Sequence, residues 1–373
     1  MQILDLRPHT VRLMSSLWSQ SPTHRGALDS PPDRPHFVSR GVNRIADRLI
    51  ARRVAGRSLD PGGPAVISVG NLALGGTGKT PVVAALASDL AASGRKGAVL
   101  TRGFGSPLAG PLEVDPGNGL AGDEARLMAS VLDASCWPVV QARQRSRGLE
   151  YLLEKHPGTE IVIVEDGHQT ADLGRHLDIL ILDAWTVEES PGGKRIRPVT
   201  GAVFPFGPWR ESSTGAERAG IWLLVTGEPI PDSGVNGQSV AAFTRSLSLR
   251  DARNGSAVAT PGGTSAVLSG IARPGAFETA VLGILPQDPV LAIRHGDHAD
   301  YTPRDAARII REVEGVGAGF LVTTAKDWVK LEPFWSGGPR VLVADLKISW
   351  GYGKTRPELV GERQGALPGR QAG

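Results

Sequence analysis

A single cysteine, Cys136, occurs in the 373 residues of this chain. It can form no internal disulfide and no multi-cysteine metal site, which suits a reducing compartment. Long apolar runs are also missing: none approaches the roughly 18 residues that a membrane-spanning helix needs. The first twenty residues contain Asp5 and no compact apolar stretch, so no secretory signal is expected and the protein is placed in the cytoplasm. Charge of one sign is scarce. The 41 Lys+Arg nearly balance 38 Asp+Glu, leaving +3, too little to argue for a nucleic-acid partner. No internal repeat is present.

Glycine and proline, by contrast, are plentiful at 48 and 28 residues, so turns and loops should be extensive. Hydrophobic residues at 40% and charged residues at 21% are ordinary for a globular protein. The length predicts two domains. Residues 1–36, rich in Pro, Ser and Arg, are expected to be loose. In 37–57, Val38, Val42, Ile45 and Leu49 recur at helical spacing and Arg40, Arg44, Arg48 and Arg52 recur every four residues. That pattern predicts a basic amphipathic helix with opposed faces. It serves either a helix docked on its own domain or a patch lying on anionic headgroups.

Apolar runs at 65–69, 97–101, 138–141, 161–164 and 177–182 alternate with helical segments at about 79–92, 123–132 and 143–155. Such alternation predicts a parallel sheet covered on both faces. Residues 185–215 look like a long Gly/Pro-rich loop, followed by a strand at 221–226. The fold expected is α/β: a P-loop parallel-sheet domain over 58–235, covered by helices, and a second, smaller α/β domain over 236–350. In the latter, strands near 265–270, 289–294, 319–323 and 340–345 alternate with helices near 275–283, 303–314 and 326–332. Residues 351–373 are expected to be a tail.

The strongest local signal is Ser68-Val-Gly-Asn-Leu-Ala-Leu-Gly-Gly-Thr-Gly-Lys79-Thr80-Pro81. A strand leads in and a helix leads out, the context that a phosphate-binding P-loop requires. Gly75, Gly76, Thr77 and Gly78 would turn backbone N–H groups toward phosphate oxygens, and the helix adds its positive N-terminal end. Lys79 would bridge the β- and γ-phosphates, the Thr80 hydroxyl would join a Mg²⁺ shell, and Pro81 is tolerated in the first helical turn. Ala73 stands where the strict pattern has its first glycine. A second Gly353-Lys354-Thr355 lacks a preceding strand and meets Pro357 at once, so it carries no weight. No Asn-Lys-x-Asp segment of the kind that reads guanine occurs, which favours ATP.

Glu165 and Asp166 end the run 161–164, where the carboxyl ends of parallel strands face ligands. As a pair they can hold Mg²⁺ directly or through its waters; alternatively, one of them caps the following turn. Asp123 opens a predicted helix after Gly122, and spacing alone favours an N-cap. The cluster His295, Asp297, His298 and Asp300 has no diagnostic metal spacing.

Taken together, several segments resemble the tetraacyldisaccharide 4′-kinases, which phosphorylate a lipid A precursor. They are Val69-Gly-Asn…Gly-Gly-Thr-Gly-Lys-Thr-Pro81, Leu100-Thr-Arg-Gly-Phe-Gly105, Gly122-Asp-Glu124 and Glu165-Asp-Gly-His-Gln169. Leu177–Asp183, Phe204-Pro-Phe-Gly-Pro-Trp-Arg-Glu211, Ser269–Pro274, Asp297-His298 with Tyr301-Thr302, and Thr323–Leu331 complete a series in family order from about residue 60 to 345. The resemblance implies an ATP- and Mg²⁺-dependent kinase with its site between two α/β domains. Such a kinase would work at the cytoplasmic face of the inner membrane on an acylated disaccharide lipid. Under it, Asp123 would accept the proton of the sugar 4′-hydroxyl and His298 would orient Asp123. Arg102, Gln169 and Arg210 would lie on the substrate side, the arginines holding phosphate on nucleotide or lipid. Segment 37–57 takes the family's membrane-contacting position. This chain departs from the family's Asp-Asp-Gly-Phe-Gln-His: Glu165 adds a methylene, His168 replaces the aromatic residue and Thr170 replaces the histidine. A P-loop ATPase switch without acceptor chemistry and a degenerate lipid-kinase homologue are the alternatives.

Overall fold

The computed structural model describes residues 1–6, 37–54, 63–75, 78–231, 233–259, 261–297 and 299–353. In chain order the elements begin with β1 (Gln2–Asp5), α1 (Phe37–Val54), β2 (Ala65–Asn71), α2 (Lys79–Ala92), β3 (Gly97–Thr101) and β4 (Leu112–Glu113). Next come α3 (Asp123–Val131), β5 (Val139–Gln141), α4 (Arg145–Lys155), β6 (Ile161–Glu165), β7 (Leu177–Leu182), β8 (Trp185–Ser190) and β9 (Gly193–Pro198). After β10 (Ile221–Val225), β11 (Ser239–Asp251) and β12 (Ala257–Val258) the chain forms β13 (Ser265–Ser269), α5 (Pro274–Leu282) and β14 (Leu291–Arg294). It ends with α6 (Pro303–Gly315), β15 (Phe320–Thr324), α7 (Ala325–Leu331) and β16 (Arg340–Gly353).

The chain forms two compact units. One comprises Trp18–Thr244 with Ile348–Gly373, and the other Met1–Leu17 with Arg245–Lys347, each over its described residues. Passage between them occurs within β11 and again within β16. The sheet of the larger unit runs β11-β10-β7-β2-β6-β3-β5-β4, with every pairing parallel except β4 on β5. Its apolar runs are buried on both faces. On one, Ile67, Val69, Ile161 and Ile163 pack with Val82, Val83 and Leu86 of α2. On the other, Val66, Leu100, Val162 and Val164 pack with Leu152 of α4. Each such aliphatic side chain contributes about 1.5–3 kcal/mol by leaving water.

The sheet of the smaller unit runs β1-β14-β13-β15-β16, again all parallel. Tyr301, Ile309, Val313 and Trp328 cover one face, and Phe277 and Val281 of α5 the other. Thr302 and Asp305 form a reciprocal capping box at α6, which fixes its start. The α/β expectation therefore holds in both units.

Four expectations are corrected. Gln2–Asp5, assigned to a loose segment, pairs with Leu291–Arg294 as an edge strand, because Leu4 and Leu6 find the apolar surface of the smaller unit; residues 7–36 lie outside the described set. The loop expected over 185–215 contains the hairpin β8–β9, in register from Trp185↔Pro198 to Ser190↔Gly193. It buries little, only Ile196 fully among its apolar residues, so it has no hydrophobic run to betray it. Residue 351, where a tail was expected to begin, is still in strand, since β16 continues to Gly353; residues 354–373 lie outside the described set.

The fourth concerns α1. Its docked face is not the predicted apolar stripe: Val42 and Ala46 pack inward beside two polar ties. Asn43 donates to the Gly201 carbonyl (3.2 Å) and accepts from Val203 N–H (3.0 Å), while Asp47 accepts from Ser212 N–H (2.9 Å) and its hydroxyl (2.6 Å). Ile45 and Leu49 face solvent at 60% and 51% exposure, on the same side as the exposed Arg44, Arg48 and Arg52. The two faces are thus not apolar against basic; the outward one is both.

Candidate active site

Each strand that enters the site ends in a polar residue at its carboxyl edge. β2, buried throughout, ends in Asn71, and the chain then turns through Gly75 (φ 91) and Gly78 (φ 74). These left-handed conformations are open to glycine without a steric cost. Gly78 is also the N-cap of α2 and offers no side-chain cap, so the N–H groups of the first turn are left for an anion. Gly76 and Thr77 lie outside the described residues. Thr80 is buried in the first turn of α2, and Pro81 follows within that turn.

Lys79 reaches back over the strand ends. Its Nζ donates to Asn71 Oδ1 at 3.1 Å and lies 3.3 Å from Asp166 Oδ1. Asp166 follows β6 and, among the described residues, is the non-glycine residue with positive φ (55°). Strained backbone of this kind persists where its surroundings over-determine it. Here Arg210 Nη1 donates to both Asp166 oxygens, at 2.9 Å each, and to Gln169 Oε1 at 3.2 Å. Burial pushes the Asp166 carboxyl upward, but the Lys79 and Arg210 charges win and hold it below the usual carboxylate range.

Its neighbour Glu165 behaves oppositely. Burial, reinforced by Glu124 and Asp166, pushes its carboxyl up to about 7, against the pull of Lys79 and a hydrogen bond from Thr101. Thr101 Oγ1 donates to Glu165 Oε2 at 2.9 Å, whereas buried Oε1 has no hydrogen-bond partner. Arg145, a buried guanidinium, donates to the Glu165 carbonyl at 3.3 Å and to the Ala142 carbonyl at 2.9 Å; burial lowers its proton affinity. Adjacent carboxyls driven apart in this way divide into an ionised group and one that titrates near neutrality. The donor set fits Mg²⁺, which takes one or two carboxylates, waters and phosphate oxygens. The orphan Oε1 of Glu165 is the atom still lacking a partner. No group of three or more potential His, Cys, Asp or Glu ligands occurs among the described residues.

This geometry accompanies clear kinship. A sequence profile of the LpxK family, tetraacyldisaccharide-1-P 4'-kinase, matches residues 35–359. The chain belongs to that family. It is 33% identical over 362 residues to the tetraacyldisaccharide 4'-kinase of Anaeromyxobacter dehalogenans (strain 2CP-1 / ATCC BAA-258), covering 89% of this chain and 90% of the relative. To that of Phenylobacterium zucineum it is 36% identical over 295 residues, covering 77% and 82%. The crystal structure of LpxK from Aquifex aeolicus in complex with ATP is similar as well. It has a TM-score of 0.61 and 26% identity, covering 89% of this chain and 96% of that one.

Within the LpxK frame the other site residues can be placed. The N-cap of α3 is Gly122, not Asp123. Asp123 is the first helical residue, buried at 8% exposure, so the capping role favoured by spacing is corrected. Gln141 at the end of β5 accepts from Gly122 N–H (2.8 Å) and donates to Ser106 Oγ (2.9 Å) and the Leu108 carbonyl (2.9 Å), which sets the start of α3. Arg102 is exposed just past β3. Lys79, Glu165, Asp166, Gln169 and Arg210 come together at the ends of β2 and β6; His298 lies outside the described residues. Sequence reasoning missed Asn71, Thr101, Gln141, Arg145 and Glu211. The first three end strands that it did recognise, which is the signal that finds them.

In the smaller unit the Thr323–Leu331 motif has a structural reading. Asp327 is buried and accepts from Gly270 N–H (3.0 Å), Tyr301 Oη (3.0 Å) and Thr324 Oγ1 (2.6 Å). Burial raises the Asp327 carboxyl despite these donors, and the Tyr301 phenol is raised by burial and by Asp327. Lys326 lies 3.5 Å from Asp297 and Lys330 3.2 Å from the Ala299 carbonyl.

Proposed function

We propose that this protein is an ATP-dependent kinase that transfers the γ-phosphoryl group to the 4′-hydroxyl of a tetraacyldisaccharide 1-phosphate, a step of lipid A biosynthesis. The observation that carries the reading is Lys79, held by Asn71 and Asp166 at the start of a P-loop helix with Arg210 on the same carboxylate, in a chain of this family. Phosphoryl transfer asks the protein mainly to position the reactants and to balance charge.

The roles follow from the groups present. Backbone N–H groups of the glycine-rich turn and the α2 N-terminus would bind the phosphates, and Lys79 would reach the β- and γ-phosphates. Thr80, Glu165 and Asp166 would hold Mg²⁺, which when bound offsets charge on the phosphates. Arg210 keeps Asp166 ionised and turned inward. Asp123 takes the proton of the attacking hydroxyl, and His298 orients it. Arg102, with Gln169 and Arg210, faces the substrate. The outward face of α1, with Ile45 and Leu49 among Arg44, Arg48 and Arg52, rests on the anionic surface of the inner membrane, apolar groups inserted and arginines on phosphates. No helix among the described residues is long and apolar enough to cross a membrane.

The test is replacement of Lys79 by Ala. The expected result is loss of labelled phosphate transfer from ATP to the lipid with the fold intact by circular dichroism; undiminished transfer would remove the P-loop lysine from the mechanism.

A further inference from the structure

A buried polar layer lies behind the site and is not used by the transfer chemistry. His168 is 0% exposed and packs on Gly70 of β2, where an added Cβ would come within 2.4 Å of the His168 Cβ. Its two ring nitrogens meet different elements. Nδ1 lies 2.8 Å from Asp178 Oδ2 in β7. Nε2 lies 3.0 Å from the Gly215 carbonyl and 3.1 Å from Arg218 Nη2, both in the 3₁₀ turn Ser213–Arg218.

That turn in turn secures Glu211. Arg218 Nη2 donates to its oxygens at 2.9 Å and 2.7 Å, and Glu211 is itself 0% exposed. A carboxylate only accepts, so Gln169 must present its NH₂ group to it. Gln169 Nε2 donates to Glu211 Oε1 at 2.7 Å and to the Asn71 carbonyl at 2.9 Å. Its oxygen is thereby aimed at Arg210, whose Nη1 lies 3.2 Å away and also holds Asp166. A continuous route of hydrogen bonds therefore runs from His168 to the Lys79–Asp166 pair. With Nδ1–H donating to Asp178, Nε2 accepts from Arg218; an apolar aromatic ring at 168, as in the family motif, would leave the Asp178 carboxylate without its donor and Arg218 Nη2 without its ring acceptor.

We propose that His168 is a positioning residue: it fastens the Ser213–Arg218 turn to β7, fixes Glu211, and through Glu211 sets Gln169 and Arg210 against Asp166. The proposal rests on the phosphoryl-transfer reading, and one arm of its test is independent of transfer. His168→Phe, Gln169→Ala and the double variant of the full chain are compared for kcat, KM for ATP and stoichiometry of ATP binding.

The expected result is a kcat lowered about tenfold or more in His168→Phe, the scale of lost supporting hydrogen bonds, with unchanged stoichiometry and KM for ATP within about threefold. The double variant should fall no more than about twofold below Gln169→Ala alone, because both act along one route. His168→Asn, which keeps a donor toward Asp178, should recover part of the rate. Full kcat in His168→Phe, or effects that multiply independently, would overturn the proposal. Should His168→Phe not fold, His168→Asn decides: partial loss supports it and wild-type kcat refutes it. The independent arm is the proton NMR signal of the buried His168 ring N–H. Gln169→Ala and Glu211→Gln should both shift it, and a signal indifferent to both would overturn the coupling even if wild type transferred no phosphate.

Discussion

Replacing Glu165 by Gln removes one titrating group from the carboxylate pair and should change how stability depends on pH. In the unfolded chain the carboxyl titrates at 4.5, and in the fold at about 7. Between those values the folded protein binds more protons than the unfolded chain, so wild-type stability must fall as pH rises through this window. The penalty is largely absent below 4.5 and reaches about 3 kcal/mol above 7, at roughly 1.4 kcal/mol per tenfold change in proton affinity. Between about pH 5 and pH 8 the change is on the order of 2.5 kcal/mol. Asp166 is held below the ordinary carboxylate range and titrates outside this interval. His176 and His295, both lowered by burial, act in the opposite direction but are common to both proteins. The assay is urea denaturation without nucleotide or metal at the two pH values. Glu165→Gln should gain about 2.5 kcal/mol relative to wild type on going from the lower pH to the higher. Parallel stability profiles would refute the burial-driven protonation of Glu165 and, with it, the division of labour within the pair.

Three further outcomes are expected. Asp123→Asn should spare ATP binding and lower kcat by about 10²–10⁴, the usual worth of a general base; full turnover would return Asp123 to a structural role at the head of α3. Ile45→Glu combined with Leu49→Glu should reduce binding to anionic vesicles by about tenfold or more while leaving the melting temperature unchanged, since both side chains face solvent; equal binding would take α1 off the membrane. Asp327→Ala leaves Gly270 N–H and the Tyr301 and Thr324 hydroxyls without their shared acceptor, and should cost about 3 kcal/mol in urea denaturation. A loss below about 1 kcal/mol would show that water replaces the carboxylate.

The buried parallel strands were legible because Ile161–Val164 and Leu177–Leu182 are continuous apolar runs, and such runs have few other uses. The P-loop was legible because its glycines sit between a strand and a helix. The hairpin β8–β9 was not, for its residues are mostly polar or charged and only Ile196 among them is a fully buried hydrophobe. β1 escaped notice because four residues beside a Pro-rich stretch gain their strand character solely from pairing with β14. In α1 the apolar period was correct but its direction was not. Asn43 and Asp47 decide which face docks, through bonds to Val203 and Ser212 about 160 residues away. Distance in sequence also hid the role of Glu211: the segment Phe204–Glu211 is recognisable, but nothing local says that Gln169 and Arg218 meet on its glutamate.

The central claim is most directly tested by incubating the wild-type protein with ATP labelled at the γ-phosphate and a tetraacyldisaccharide 1-phosphate in detergent micelles, with and without Mg²⁺. The account predicts magnesium-dependent label on the lipid at the 4′-hydroxyl. ATP bound normally with no label on the lipid would contradict it and would leave a nucleotide-binding relative of these kinases, with Glu165 and Thr170 the first positions to restore.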